Sequence, residues 1–368
     1  MLLTTNVVAS PADFAFTTEH LQVRGPTTWN AWCGRATTQQ RRSYLKQITL
    51  TLRRVAALTA ITLSLTSCAF TGQGAQQSST DADETDSAPT LPPVSAFEVA
   101  EDEPAPEVKR TAVRFLEAAF NYEEGNGTPD AARERLEAAG DPYSTDQPDI
   151  PLLFADAAAA AQIVYPQLGG LTEDSASVMT VIDFATLRGR ELSKQTRTVD
   201  VRLEQREHGW TVTEITSDGG APPETDTTPS DPAERVLASD RIELPDSARW
   251  DILDGGIDDR TLEMMLTLSA EHTISVAVLS TGHPVDVFNS DSVSNHIHGR
   301  AVDIWAVDGV SVSDMRSQEG TNPARVLMEL SLAEGATEVG GPWALSTSAG
   351  ASFTDAVHLD HLHIGFKQ

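Results

Sequence analysis

Histidine and aspartate residues gather in the C-terminal part of the chain. Six of its nine histidines lie between His283 and His363, and Asp303 and Asp360 lie among them. Only two cysteines occur in the whole sequence. Imidazole and carboxylate groups bind divalent metals through nitrogen and oxygen, and zinc is the first such metal to consider. The pattern therefore predicts a zinc site.

Two short segments carry the candidate ligands. His296 and Asp303 are seven positions apart, so neither one helix face nor one strand brings both side chains together. A loop that carries His296 into a strand that carries Asp303 does so, and Gly299 allows the tight turn. His361 and His363 alternate along a predicted strand and share one face. Two histidines and one aspartate leave a fourth tetrahedral position open, as in catalytic zinc sites.

Spacing alone leaves some assignments open. His298 alternates with His296 and could replace it as a ligand, although the motif register described below favours His296. Asp360 could orient a ligand histidine instead of moving a proton. His283 and His358 are interpreted as groups at the margin of the site. The alternative that the whole histidine cluster is structural is less favoured, because the residues match a ligand pattern.

Residues 239–368 are predicted to form one α+β domain around these segments. Asp258 is expected to cap a helix, and Asn322-Pro323 to begin another that ends before Gly335. Predicted strands cover residues 274–279, 301–306, 337–339 and 361–366. The polar segments then meet across strand ends.

The paired motifs carry a family resemblance. Ser-x-His-x-x-Gly-x-Ala-x-Asp at 294–303, followed by Asp-x-x-His at 360–363, resembles the D-Ala-D-Ala carboxypeptidase family of zinc peptidases. That family shares its fold with lysostaphin-type endopeptidases and the hedgehog domain, and the resemblance covers the C-terminal third of the chain. It implies a hedgehog/DD-peptidase-like fold and hydrolysis of peptidoglycan peptides. The implied Zn²⁺ ligands are His296, Asp303 and His363, with Asp360 as general base and His361 stabilising the oxyanion or orienting water.

One departure from the family affects the expected substrate. Family exopeptidases carry Ser-Gly-x-Arg before the first motif, and its arginine binds the terminal carboxylate of the substrate. This chain has Thr281-Gly282-His283-Pro284, with proline in place of arginine. An endopeptidase or a different substrate is therefore favoured over removal of a C-terminal D-Ala. The alternative is a catalytically inactive, zinc-stabilised lipoprotein that binds the cell wall.

Residues 108–218 are predicted to form a separate small α+β domain. Apolar residues recur at helical spacing from Val113 to Phe120, and further helices are expected over 131–138 and 152–165. Alternating patterns then predict strands over 177–187, 198–204 and 210–215. Helices followed by an antiparallel sheet resemble NTF2-like domains. No catalytic group stands out, so this domain is interpreted as a spacer or binding module, and residues 219–238 as a linker.

The N-terminal region has the features of an export signal. Arg53-Arg54 precedes an apolar run over 55–65, and the segment ends in Leu65-Thr66-Ser67-Cys68. This resembles a bacterial lipoprotein signal, which implies a lipid on Cys68 and anchoring at the extracytoplasmic face of the cell membrane. Residues 1–67 are interpreted as an upstream extension plus the signal peptide, with translation expected to start near residues 45–52.

Composition narrows the classes of partner. The formal charge of −28 and the isoelectric point of about 4.5 exclude an ordinary nucleic-acid-binding protein, which needs a basic face. Two cysteines, Cys33 and Cys68, predict no disulfide framework. Residues 69–107 contain no lysine or arginine and many acidic and small polar residues. Residues 68–107 are therefore predicted to form a disordered acidic tether. The oligomeric state is not predicted.

Overall fold

The computed structural model describes residues 88–140, 150–224, 227–318, 321–347 and 351–367. Helices accompany two open sheets, so the expected α+β class is confirmed. The predicted signal, Cys68 and the first half of the predicted tether, residues 68–87, lie outside the described residues. The helices are α1 (Pro106–Phe120), α2 (Pro129–Ala138), α3 (Asp231–Ala238), α4 (Asp246–Leu253), α5 (Asp259–Leu268), α6 (Val312–Met315) and α7 (Pro323–Ala333). The strands are β1 (Ala158–Leu171), β2 (Ser175–Arg188), β3 (Glu191–Arg206), β4 (Gly209–Ser217), β5 (Ile242–Glu243), β6 (Ile274–Val278), β7 (Ala301–Val307), β8 (Val310–Ser311), β9 (Glu338–Gly340), β10 (Ser352–Phe353) and β11 (Leu362–Gly365).

The first sheet is an antiparallel meander of four long strands in the order β1-β2-β3-β4. Helix α1 begins with a proline at its first position and buries the apolar stripe that includes Leu116 and Phe120 against this sheet. Strands β3 and β4 form the predicted hairpin, and Gly209 adopts the positive φ of 119° that the turn requires. The helices predicted near residues 113–120 and 131–138 are thus confirmed.

The predicted helix over 152–165 is wrong. Ala158 to Leu171 forms β1, which pairs with β2 along its whole length. The run Ala158–Ala161 has a high intrinsic helix propensity, but propensity is a weak preference. Pairing with β2 and burial of the alanines against α1 decide the conformation instead.

Residues 88–107 also differ from the prediction, because they lie against the first sheet rather than in a tether. Phe97 and Val99 pack against the core of this sheet. The Ser95 amide donates to the Gln162 side chain at 2.8 Å, and the Phe97 amide donates to Glu117 at 2.8 Å. Two apolar side chains and these hydrogen bonds offset the low average hydrophobicity of the segment.

The second sheet has the order β10-β9-β11-β7-β6-β5, with β8 paired to β7. Its central strands β11, β7 and β6 are antiparallel, and α5 and α7 pack on it around a core that includes Ile304 and Leu327. The predicted caps are present, since the Asp258 and Asn322 side chains accept from backbone amides in the first turns of α5 and α7. The four strands predicted in this region are confirmed within one or two residues.

Both sheets belong to one compact unit that spans Glu84–Gln368. Each sheet has its own apolar core, and polar contacts as well as close glycine contacts join the two. A Cβ on Gly282 would lie 2.8 Å from the Thr198 carbonyl oxygen of β3, and a Cβ on Gly170 would lie 2.0 Å from the Phe288 ring. In the described part of the chain, no helix has the length and apolar character needed to cross a membrane.

Candidate metal centre

A short 3₁₀ turn at His296–His298 presents the first candidate ligand. Gly299 ends this turn with a φ of 64°, and a Cβ there would lie 2.0 Å from the Gly256 carbonyl oxygen. Only glycine therefore fits between the turn and the segment before α5. The turn points the His296 side chain inward, where it is fully buried, whereas the His298 side chain is exposed.

Strand pairing brings the other two predicted ligands together. Asp303 on β7 lies directly opposite His363 on β11 in an antiparallel register. Residues that face each other in this way place their side chains on the same face of a sheet. His363 Nδ1 consequently lies 3.1 Å from Asp303 Oδ1.

Three electron-rich atoms converge at this point. His296 Nε2 lies 3.1 Å from Asp303 Oδ1 and 3.1 Å from His363 Nδ1. His296 Nδ1 must donate to the Leu279 carbonyl oxygen at 2.6 Å, which leaves a lone pair on Nε2. His363 Nε2 faces Glu338 at 3.8 Å, and a proton there leaves a lone pair on Nδ1.

This donor set fits a divalent cation. Tetrahedral ligands about 2.0–2.1 Å from a zinc ion lie about 3.4 Å from one another, close to the distances found here. Three lone pairs that face each other repel unless a proton or a cation lies between them. The facing atoms of His296, Asp303 and His363 could therefore hold a metal ion.

A fourth residue that the sequence placed at the margin also lies within reach. His283 stacks on His296, with ring centroids 4.0 Å apart, and His283, His296 and Asp303 form a group that could hold a metal ion. His283 Nδ1 is 2.7 Å from the Pro284 carbonyl oxygen, so its Nε2 keeps a lone pair. Burial, reinforced by the nearby His296, holds the pKa of His283 well below its ordinary value. Its ring is therefore neutral, as ligation requires.

The electrostatics of the site depend on close contacts between carboxylate and imidazole. Burial by itself would raise the pKa of Asp303, but His296 and His361 hold it well below its ordinary value. Burial by itself would lower the pKa of His363, but the hydrogen bond to Asp303 and the nearby Glu338 carboxylate outweigh this effect and raise the pKa to about 9. The same contact with His363 lowers the pKa of Glu338 to about 2. Without a metal, a proton on His363 thus occupies the place of the cation.

Asp360, the residue predicted as general base, is sealed from the site. Its side chain is fully buried, and Oδ1 accepts from His361 Nδ1 at 2.7 Å. Oδ2 lies 2.7 Å from the Lys109 ammonium and accepts from the Leu168 amide at 3.0 Å. Burial raises the pKa of Asp360, but Lys109 and His361 bring it below its ordinary value. Both oxygens are already engaged, so this geometry suits a residue that orients His361.

His361 is the side chain that presents a free ring nitrogen to the site. Its Nδ1 donates to Asp360, and its Nε2 lies 3.8 Å from Asp303 Oδ2. At that distance Nε2 is not hydrogen-bonded to Asp303 and remains able to accept a proton. The His358 ring is tilted against the His361 ring, with centroids 5.0 Å apart, and its Nδ1 lies 2.7 Å from Asp355, at the margin of the site as the sequence indicated.

Sequence reasoning missed two site residues that belong to the first sheet and its helix, and it also missed Glu338 of β9. Lys109 of α1 contacts Asp360, and Gln167 of β1 donates to Asp303 Oδ2 at 2.8 Å. The sequence holds one signal for Lys109, which lies on the apolar stripe of α1 with Val113 and Leu116. A lysine at a core position needs a buried partner. Gln167 lies within a strand and carries no comparable signal.

Two tryptophans and one further histidine near the site have structural surroundings. Trp305 stacks on Tyr165 with ring centroids 4.9 Å apart, and Trp343 packs against the core of the second sheet. His272 lies beyond the end of α5, with Nδ1 2.7 Å from Asp308. These residues form the surroundings of the site rather than its ligands.

Comparison with known proteins adds no family assignment. No protein-family model matches the chain, and no curated protein matches it. Function must therefore be argued from the residues of the site.

Proposed function

We propose that this protein is a zinc-dependent hydrolase of the peptidase type that acts on peptidoglycan peptides. The observation that carries the proposal is the triangle of His296 Nε2, Asp303 Oδ1 and His363 Nδ1, with 3.1 Å along each side. A free imidazole nitrogen on His361 lies beside the triangle. Three ligands and an adjacent base are the parts that metal-assisted hydrolysis needs.

The proposals on fold and location follow from the other resemblances in the sequence. The second sheet is proposed to have the hedgehog/DD-peptidase-like fold and the first sheet to be NTF2-like. The proposed location is the extracytoplasmic face of the membrane, with anchoring by a lipid on Cys68.

Zinc, His361 and Asp360 have separate roles in the proposed hydrolysis. When bound, zinc supplies a Lewis acid that polarises an amide carbonyl and acidifies water. His361 Nε2 accepts the proton of the attacking water, because Nδ1 is already committed to Asp360. Asp360 remains ionised and stabilises the protonated ring of His361. His361 then gives its proton to the leaving amine. This assigns the proton transfer to His361 rather than to Asp360.

The proposed substrate depends on the residue at position 284, where the family exopeptidases carry an arginine. Pro284 replaces the arginine that would bind a terminal carboxylate, and Pro284 is buried. Arg300 lies outside the position that matches the family arginine, and its Nη2 donates to Asn295 at 2.9 Å. An internal peptide bond is therefore the proposed target rather than a C-terminal residue.

A second candidate function is a zinc-stabilised module that binds cell-wall peptide without cleaving it. The sealed carboxylate of Asp360 favours it, because the residue in the register position of the base cannot reach a substrate. The two functions differ at His361. The hydrolase needs its Nε2, whereas a binding module retains both metal and ligand when His361 is replaced.

The test combines metal content with wall digestion. Full-length protein loaded with zinc is incubated with purified peptidoglycan of several chemotypes, and released peptides are detected by mass spectrometry. The hydrolase reading expects peptides from the wild type, none after chelation, and none from His361→Gln with zinc retained. If metal-replete wild type releases no peptide from any chemotype, the hydrolase is excluded and the binding module is favoured.

A further inference from the structure

The two carboxylates of the metal centre are each held from outside by the first sheet and its helix. Gln167 Nε2 donates to Asp303 Oδ2 at 2.8 Å, and Lys109 Nζ lies 2.7 Å from Asp360 Oδ2. The backbone amide of Leu168 adds a third donor at 3.0 Å to the same Asp360 oxygen. These contacts reach into the second sheet from the segment predicted to be a separate spacer.

The side chains in these contacts are shielded from water, so each hydrogen bond to a carboxylate is needed to stabilise it. Lys109, Gln167 and Asp360 are fully buried, and Asp303 is 1% exposed. A carboxylate without water depends on the donors that the protein supplies, and loss of one leaves an oxygen unsatisfied. The donors on Asp303 and Asp360 therefore come from a limited set of side chains and amides.

Gln167 determines how Asp303 presents its oxygens. Oδ1 belongs to the triangle with His296 and His363, and Oδ2 is taken by the Gln167 amide. The side-chain amide thus fixes the rotation of the carboxylate about its Cβ–Cγ bond. Hydrogen bonds of this kind orient metal ligands, and their loss typically weakens metal affinity.

Lys109 acts one step further away, through Asp360 and His361. Its ammonium holds Oδ2 of Asp360, while Oδ1 accepts from His361 Nδ1. The proton of His361 is thereby placed on Nδ1, and Nε2 is directed to the site. Lys109 is itself held by Glu103 at 2.5 Å and lies 4.9 Å from the centre of the Tyr165 ring.

We propose that Gln167 and Lys109 are positioning residues of the metal centre, so that the site is built jointly by both sheets. The inference rests on the proposed function only in taking the triangle as a metal site. The segment that sequence interprets as a spacer then contributes directly to metal affinity and to the orientation of His361.

The experiment titrates full-length, metal-free protein with cobalt(II) and follows the visible absorption bands, which report both affinity and coordination. The variants are Gln167→Leu, Lys109→Met and Lys109→Arg. The matched control is Gln162→Leu, a glutamine on the same strand whose side chain bonds to Ser95 and not to the site. Circular dichroism and thermal unfolding of the metal-free variants identify any that fail to fold.

Gln167→Leu is expected to weaken cobalt affinity about 10- to 100-fold and to alter the absorption bands. Gln162→Leu should match the wild type. Lys109→Met should also alter the bands, and Lys109→Arg should restore them in part because it keeps the positive charge. If Lys109→Met does not fold, the glutamine pair still decides the result.

Unchanged affinity and bands in folded Gln167→Leu would overturn the inference and leave the proposed hydrolase standing. An equal loss in Gln162→Leu would also overturn it, since the effect would then be general destabilisation. The wild type could bind cobalt and release no wall peptide while Gln167→Leu loses affinity. This result would support a metal site built by both sheets and would exclude only the proposed hydrolase. No cobalt binding by the wild type would overturn both.

Discussion

The Lys109 ammonium lies 2.7 Å from Asp360 Oδ2, and both side chains are fully buried. This ion pair joins α1, beside the first sheet, to the segment that enters β11 in the second. Removal of one member of a buried pair leaves the other charge without compensation, which costs more than loss of an exposed pair. The contact therefore has consequences for stability as well as for the site.

Lys109→Met is expected to lower the free energy of unfolding by about 3–5 kcal/mol, because it leaves a buried carboxylate unpaired. Chemical denaturation of metal-free protein measures the change. The control is Arg188→Met, which removes an exposed ion pair with Asp156 and should cost about 0–1 kcal/mol. Addition of Asp360→Asn to Lys109→Met should recover part of the loss. Equal effects of the two single variants would contradict the prediction.

Separate replacement of His296 and His298 should show which of the two histidines is a metal ligand. His296→Ala removes one side of the triangle and should abolish tight zinc binding, whereas His298→Ala removes an exposed side chain and should leave binding unchanged. Competition with a coloured chelator measures both affinities. Loss of binding in His298→Ala with retention in His296→Ala would reverse the assignment.

His363 and His283 are expected to contribute unequally. His363 Nδ1 is 3.1 Å from each of the other two ligand atoms. By comparison, the ligand atoms of His283, His296 and Asp303 lie within 4.8 Å of one another. His363→Ala should therefore weaken zinc affinity far more than His283→Ala. The same chelator competition ranks them, and a larger effect at His283 would identify it as the third ligand instead.

Metal affinity should depend on pH through His363. Its pKa of about 9 in the metal-free protein means that a proton must leave before a metal binds. Zinc affinity is expected to fall about tenfold for each unit of pH below 9 on this account. The same proton stabilises metal-free folded protein fully below the ordinary histidine pKa, and its contribution is lost as pH rises through 9. Calorimetry in two buffers of different ionisation enthalpy should detect the released proton. Affinity that does not change between pH 6 and pH 8 would contradict this prediction.

Local patterns predicted much of the second sheet and of the site. The cap at Asp258 depends on short-range chemistry that is readable in sequence, and the predicted strand over 301–306 matches β7 within one residue. The family resemblance favoured His296 over His298 as a ligand, and in the structure His296 is buried whereas His298 is exposed. Spacing could not reveal that Asp303 and His363 face each other, since strand pairing depends on the whole sheet.

The failures have a common physical cause, which is contact between distant segments. Residues from Ala158 onward form a strand because β2 pairs with them, although the alanine run alone favours a helix. Asp360 occupied the register position of a base, but Lys109 and the Leu168 amide engage one of its oxygens from another sheet. Such partners are invisible to periodicity and to motif spacing.

The contact of Gln167 with Asp303 limits how this chain can be recombined with others. Residues 219–230 precede α3, contain glycine and proline, and lie in sequence between the strands of the two sheets, so they would be the natural crossover point for a chimaera. A chimaera joined there would pair one parent's Asp303 and Asp360 with the other parent's residues at 109 and 167. Unless those positions are matched, buried carboxylates lose their donors. The two sheets are therefore expected to be inherited as a pair.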